Sequence, residues 1–316
     1  MNISRRRFLG SAASSGVGLL VPAVCASASA PPASSPNTGG QRPFKLGIAT
    51  YSYWHFSRKK FPIETVVNKA AELGVEGVDV LHRQLETEDG AYLRKLKRHA
   101  FLNGIALICL SMHQSFVSSS AEVRERNVKH TLKCLNIASQ LGIPSMRINA
   151  GTWGTTKNFN VLMKNRGIEP VPPGVTEEDG YRWVSECIRK CLPRAEELGV
   201  ILALENHWGL SGTPEGMLRI FREINSPWLQ LLPDTGNFLE NPYEKLATVF
   251  PHACYVQAKT YFGGGEWYSL DLDYKRIFRQ LRDAGYKGYV GIEFEGKAPA
   301  DEGVPKSIAL LRDAMA

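Results

Sequence analysis

Eight short apolar runs, each followed by a longer amphipathic stretch, are the feature that most restricts how this chain can fold. The runs cover residues 44–50, 77–81, 105–112, 145–149, 201–206, 229–234, 254–259 and 289–294. Most are near-continuous in apolar residues and of strand length, the pattern of strands covered on both faces. The stretches between and after them predict helices over 63–73, 91–103, 121–141, 180–198, 214–223, 242–249, 273–284 and 304–315. Five of these close on a glycine just beyond the last turn, at Gly74, Gly104, Gly142, Gly199 and Gly285, where the left-handed conformation ends a helix. Eight such units without an internal linker specify one α/β domain, a closed (β/α)8 TIM barrel over residues 43–316. No Gly-x-Gly-x-x-Gly follows the first strand, so a dinucleotide-binding sheet is not indicated.

The segment ahead of the barrel reads as an address. Arg5, Arg6 and Arg7 precede a modest apolar stretch and the small-residue run Ala26-Ser27-Ala28-Ser29-Ala30. A basic head, an apolar middle and an Ala-x-Ala exit describe a signal peptide over 1–30. The paired arginine favours the twin-arginine route and a periplasmic or otherwise exported product. The apolar stretch is interrupted by glycine and serine and falls short of the ~20 residues a membrane span needs, so no stable membrane insertion is expected. Residues 31–42, rich in Pro, Ser, Asn and Gly, read as a flexible linker.

The net charge of +7 belongs partly to this leader. Removing residues 1–30 takes away three arginines and no acids, which leaves +4. What remains has no dense basic stripe, so nucleic acid is not an expected partner. Five cysteines stay in the mature part, four of them in apolar or helical patterns. Cys187 and Cys191 share one helix face but have no companion pair for a thiolate metal site, and buried free thiols are the expectation.

Barrel chemistry takes place where strands run out into the βα loops, and here those ends are polar. They carry His82, His113 with Gln114, Arg147 with Asn149, Glu205-Asn206-His207, Asp234 with Asn237, Gln257 with Lys259, and Glu293 with Glu295. Crowding such groups into one barrel mouth is costly unless they are paired, metal-bound or ligand-bound. Glu205, Asp234 and Glu293 come from different strands, and like charges held close oppose ionisation unless a cation relieves them. Carboxylates and an amide oxygen suit a hard divalent ion. Glu205 and Glu293 across a bound sugar make an acid/base pair. The alternative is a salt-linked barrel top with Lys259, Arg147 and the histidines as counter-ions. Residues 151–179 form a long proline-bearing insertion expected at the rim of the site, and the glycines at 263–265 permit close backbone approach to a ligand.

The layout from Phe44 onward resembles the xylose-isomerase-like superfamily of sugar isomerases and epimerases. The residues that carry it are Leu202-Ala203-Leu204-Glu205-Asn206-His207, Pro233-Asp234-Thr235-Gly236-Asn237, Tyr255-Val256-Gln257-Ala258-Lys259 and Gly288-Tyr289-Val290-Gly291-Ile292-Glu293-Phe294-Glu295-Gly296. The resemblance implies a divalent metal (Mn²⁺, Mg²⁺ or Zn²⁺) held by Glu205, Asp234, Gln257 and Glu293. Gln257 departs from the family's usual histidine, and an amide oxygen is a weaker ligand with no titrating nitrogen. The resemblance further implies Glu205, Glu293, Lys259 and His207 as catalytic groups. His113, Asn149, Trp153, Asn237 and Trp208 are the expected contacts to a small-molecule carbohydrate, with Trp54 a further apolar wall. The related DNA-repair endonucleases use additional histidines that this chain lacks beyond His82, His113 and His207.

The expected activity is metal-dependent isomerisation or epimerisation of a sugar through an enediolate. The alternatives are a metal-dependent lyase or hydrolase acting on oxidised glycosides, and a non-catalytic carbohydrate-binding barrel. No phosphate-binding signature stands out in the final loops, which favours a non-phosphorylated substrate. The sequence leaves an oligomer open.

Overall fold

The computed structural model describes residues 44–316; the expected signal peptide and linker lie outside the described residues. In chain order the strands are β1 (Lys45–Ala49), β2 (Gly77–Leu81), β3 (Ala106–Ser111), β4 (Ser145–Ile148), β5 (Ile201–Glu205), β6 (Leu229–Leu232), β7 (Val256–Thr260) and β8 (Tyr289–Phe294). The helices are α1 (Tyr51–Trp54), α2 (Ile63–Glu72), α3 (Gly90–Leu102), α4 (Ala121–Leu141), α5 (Phe159–Lys164), α6 (Glu177–Leu198), α7 (Pro214–Ile224), α8 (Pro242–Val249), α9 (Tyr274–Asp283) and α10 (Ala300–Met315).

All strand pairs are parallel, in the order β6-β5-β4-β3-β2-β1-β8-β7. The two outer strands of that order meet through single parallel bridges, Leu231 with Ala253 and Asp234 with Gln257. The Gln257 backbone N–H donates to the Pro233 carbonyl (3.0 Å), and the Thr235 backbone N–H donates to the Gln257 backbone carbonyl (2.9 Å). The ring therefore closes at a narrow seam between β6 and β7, and two strand-end residues flank it. Most of β2, β4, β5 and β7 is buried, which explains why their sequences run apolar instead of alternating. The five glycines beyond the helices all take φ between +65° and +73°, the cap geometry that the sequence predicts.

The barrel interior beneath the mouth is filled by Ile108, Cys109, Ala203, Leu232 and Tyr255. Room for them comes from glycines on the facing strands. A methyl group on Gly47 or on Gly77 would lie 2.7 Å from the Ile108 side chain, and one on Gly291 would lie 1.8 Å from the Tyr255 hydroxyl. A bulge in β3 opposite Val78 and Asp79 inserts Ile108 as an extra residue. Such a bulge resets the alternation of faces, and Ser111 then reaches Asp79 on β2 through its hydroxyl (2.9 Å).

The five cysteines among the described residues are free, and all but the half-buried Cys254 are buried. No helix among the described residues is long and apolar enough to cross a membrane.

Candidate active site

A cavity of about 590 Å³ opens at the carboxyl ends of the strands. Glu205, Glu293, Lys259, Gln257, His113, His207 and Trp208 line it, as do Arg147 and Glu295. Asn149, Asp234 and Asn237 lie behind this lining. Asn149 and Asn237 each donate a side-chain amide to Glu205, at 2.8 and 3.1 Å, one to each carboxylate oxygen. These bonds aim the Glu205 carboxylate and fix its rotamer. Asn149 is itself clamped by Gln114, which accepts from its backbone N–H and donates to its carbonyl. Asn206 ties the end of β5 to β6 in the same reciprocal way, through both backbone groups of Asp234.

Charges of opposite sign alternate across the mouth. The Arg147 guanidinium lies 3.5 Å from Glu205 and 3.8 Å from Glu293. The Lys259 ammonium lies 3.1 Å from Glu293, 3.2 Å from Asp234 and 3.3 Å from Glu295, and donates to Asn237 at 2.9 Å. Burial opposes the charged form of Glu205, but Arg147 and Lys259 outweigh it and hold its carboxyl below the usual range. Burial is likewise outweighed at Glu293, by Lys259 and Arg147. Asp234 goes the other way. Burial raises it well above the usual range despite Lys259, because Glu293 and Glu205 repel its negative form. Glu205 and Glu293 are thus held as carboxylates, whereas burial raises Glu295 at the same mouth despite Lys259.

The histidines are neutral. Burial first, then the charge of Arg147, pushes His113 down to about 2. Its Nε2 accepts from Arg147 at 3.4 Å, so its proton sits on Nδ1, which has no protein partner. Burial also lowers His207, against the pull of Glu205. The His207 ring packs on Trp208 with centroids 4.4 Å apart.

The insertion after β4 builds part of the wall, as its length suggests. It contributes Phe159 and Met163 from α5, and Gly167 packs directly under the Trp208 ring. The loop after β7 adds Glu266, Trp267 and Tyr268, and Phe159 meets Trp267 edge to face at 4.7 Å. Trp153 is placed differently from the other expected contacts: its ring packs on Gly180 at the start of α6 and does not line the cavity. Trp54 is buried in the wall, where its indole N–H donates to the Ser57 carbonyl at 2.8 Å.

Sequence reasoning passed over Asp79. It lies fully buried on β2, and one oxygen accepts from Ser111 (2.9 Å), Gln257 (3.1 Å) and the Tyr255 hydroxyl (3.3 Å). Its other oxygen has no partner. Burial pushes its carboxyl up to about 6, with Arg147 pulling the other way. The signal was a lone charge inside an otherwise apolar strand, Gly77-Val78-Asp79-Val80-Leu81.

The divalent ion implied by the resemblance can be tested against these donors. Their chemistry suits a hard ion, since all are oxygens, and Asp234 Oδ2 and Gln257 Oε1 lack hydrogen-bond partners. Their disposition does not suit one. An ion holding three carboxylates at ~2.1 Å brings their oxygens within roughly 3–4 Å of one another. Among the described residues, only His82, His130 and Cys134 form a three-membered His, Cys, Asp or Glu group with ligand atoms within 4.8 Å. Glu205, Asp234 and Glu293 are instead joined through Arg147 and Lys259, and the Gln257 amide is turned so that its nitrogen donates to Asp79. The three carboxylates stand in an ion-paired network with Arg147 and Lys259 while Gln257 is hydrogen-bonded to Asp79, and no chemical step below passes through an ion at them.

Comparison with known proteins agrees with this architecture. Solved structures with the same fold include a D-psicose 3-epimerase studied with D-fructose (20% identity, TM-score 0.66, covering 86% of this chain and 99% of that one). The 3-keto-D-glucoside 4-epimerase of E. coli is similar at 19% identity and TM-score 0.65, covering 85% of this chain and 99% of that one. The D-psicose 3-epimerase of Clostridium cellulolyticum H10, solved with D-tagatose, gives 15% identity and TM-score 0.67, covering 86% and 99%. No curated protein matches the chain in sequence. The model of the xylose isomerase-like TIM barrel family matches residues 67–314, and with eight parallel strands around a mouth of ionised glutamates the chain belongs to that family.

Proposed function

We propose that the chain is a sugar isomerase or epimerase that moves a proton next to a carbonyl through an enediolate, on an extracytoplasmic carbohydrate. The observation that carries this reading is the pair Glu205 and Glu293. They are two buried carboxylates on different strands, held ionised, facing one cavity with the same guanidinium beside both. A carboxylate so placed takes the proton from the carbon next to the carbonyl; the C–H electron pair becomes a C=C bond and the carbonyl π pair moves onto the oxygen. Arg147 and Lys259 stand where the resulting negative oxygens need charge, in a buried mouth where such stabilisation is strong. They take over the charge work that a divalent ion performs in related chemistry. Handing that proton to the neighbouring carbon, while the hydroxyl proton passes to the former carbonyl oxygen, isomerises the sugar; delivery to the opposite face of the same carbon of a proton that the other glutamate has taken up from water epimerises it. Neutral His113 and His207 offer hydrogen bonds to hydroxyls without adding charge, and Trp208 and Trp267 offer apolar faces to sugar carbons.

The neighbouring structures are epimerases of ketoses and of a keto-glucoside, which supports the substrate class. The basic, apolar and Ala-x-Ala leader supports export. Glu293→Gln and Glu205→Gln, assayed by exchange of solvent deuterium into ketoses and 3-keto-glycosides, test the reading; undiminished exchange in both variants refutes it.

A second reading keeps the site and changes the outcome. The cavity of about 590 Å³ has room for more than one sugar ring, and a neighbour handles an oxidised glucoside. From an oxidised glycoside the same enediolate can expel its aglycone, which would make the chain a lyase or hydrolase. Release of a free aglycone, against interconversion of products of equal mass, separates the two.

A further inference from the structure

A second polar cavity of about 630 Å³ lies beside the first, lined by His82, Glu88, His130 and Lys60 among others, and it shares Arg83 and His113 with the main cavity. None of the chemistry above uses His82, His130 or Cys134. His130 and Cys134 sit one turn apart on α4, so they project from one face of that helix. His82 comes to them from the single 3₁₀ turn His82–Gln84 that follows β2.

The donors are close. The ligand atoms of His82, His130 and Cys134 all lie within 4.8 Å of one another. The Cys134 sulfur is 3.8 Å from His130 Nε2, and the two imidazole rings are 5.2 Å apart, edge to face. In a tetrahedral zinc site the metal–ligand lengths put a thiolate sulfur and an imidazole nitrogen ~3.5 Å apart and two imidazole nitrogens ~3.3 Å apart. The Cys134–His130 pair is about 0.3 Å too long for this, and a pair at the 4.8 Å bound is roughly 1.3–1.5 Å too long, gaps that side-chain rotation closes. Glu88 Oε1 lies 2.9 Å from His82 Nε2 and also accepts from Lys133 at 3.0 Å; it stands outside the three-residue cluster and would reach a fourth position only by leaving Lys133.

Geometry and donor type point to one chemical class. We infer that His82, His130 and Cys134, with Glu88 or a water as fourth ligand, form a site for a borderline-soft divalent ion of the Zn²⁺ type. Two imidazoles and a thiolate select such an ion over the hard cations that carboxylates prefer. Burial keeps both histidines in the neutral, ligating form, lowering His82 (with His130 adding to the effect) and His130 (with Lys133 adding). Burial also holds the Cys134 thiol up at about 12, so binding releases its proton, which a coordinated sulfur gives up. The ion would staple the loop after β2 to α4. That loop carries Arg83, which lines both cavities, so the site buttresses one wall of the mouth.

The test uses the full chain, with Zn²⁺ and Co²⁺ as probes. After equilibration at neutral pH and removal of free metal, one equivalent of zinc is expected by elemental analysis. Replacement by Co²⁺ should give the thiolate-to-cobalt charge-transfer band and the strong visible bands of a tetrahedral site. His130→Gln should weaken binding by more than about 100-fold, beyond what loss of an outer-shell partner costs, and Cys134→Ser should abolish the charge-transfer band. Glu205→Ala should leave both stoichiometry and spectrum unchanged. The His130 variant and the wild-type cobalt spectrum decide the matter even if the buried Cys134 substitution does not fold. Absence of a stoichiometric ion, a cobalt spectrum without thiolate character, or loss of the metal on Glu205→Ala instead of His130→Gln overturns the inference.

Discussion

Asp79→Asn isolates the electrostatic cost built into the barrel floor. The substitution keeps the side chain's shape and removes its charge. In the folded protein burial raises this carboxyl from 3.8 to about 6. A raised carboxyl pKa means that the native state binds the proton more tightly than the unfolded chain does. Stability from this group is therefore fully present below the unfolded value and is lost as pH rises through the folded one. A shift of about two units corresponds to about 3 kcal/mol, of which about 2 kcal/mol falls between roughly pH 4.5 and 7.5. Because Asp79 is fully buried, solvent screening removes little of this. Urea unfolding of wild type and Asp79→Asn at matched pH values gives the difference directly. The variant should gain on wild type as pH rises across that window and then level off. Difference infrared spectra should show a protonated carboxyl band below pH 6 that the variant lacks. A difference that is flat with pH, or in which wild type gains on the variant, refutes the assignment of burial as the dominant influence on Asp79.

Three further outcomes follow from the same geometry. Glu205→Gln and Glu293→Gln should each lower turnover by about 10²–10⁴-fold, the range for loss of a positioned general base, with far-UV circular dichroism unchanged; wild-type turnover refutes the roles. Arg147→Met leaves Glu205 and Glu293 without the guanidinium beside them and should cost roughly 3–5 kcal/mol in urea unfolding. Adding Glu205→Gln to that variant should recover part of the loss, and strict additivity would argue against the pairing. Gly291→Ala places a methyl group 1.8 Å from the Tyr255 hydroxyl and should cost roughly 1–3 kcal/mol by overpacking; Tyr255→Phe in the same chain should relieve it, and failure to do so would place the strain elsewhere.

The strands were readable because both of their faces are covered, which leaves near-continuous apolar runs that few other structures produce. Helix ends were readable where glycine closes them and less so where a side chain opens them. Helix α6 starts at Glu177 under a Thr176–Asp179 capping box, three residues before the periodic pattern begins at Gly180. Helix α5 is only six residues long, too short for a helical period to register, so the insertion read as irregular. The polar strand ends pointed to the mouth and to its acids. They did not disclose which cation each acid would meet, because that depends on the reach of Arg147 and Lys259 across the ring, and sequence spacing carries no such distance. Asp79 lies outside the strand-end pattern because it sits mid-strand, in the middle of Gly77–Leu81. Trp153 shows the opposite case: a tryptophan just past a strand end whose ring is taken up by packing on Gly180.

The seam between β6 and β7 joins mechanics to chemistry. Lys259 on β7 holds Asp234 just past β6, and Thr235 accepts the Lys259 backbone N–H at 3.0 Å. A breathing motion that parts these strands breaks the ladder and separates the buried ion pair in a single event. Each opening thus carries an electrostatic penalty as well as the loss of a few hydrogen bonds. A carbohydrate bound against Lys259 and Glu293 would add its own contacts to that clasp. The amide protons of Thr235 and Gln257 would then slow their exchange with solvent on substrate binding, making the weakest join of the barrel a sensor of its occupancy.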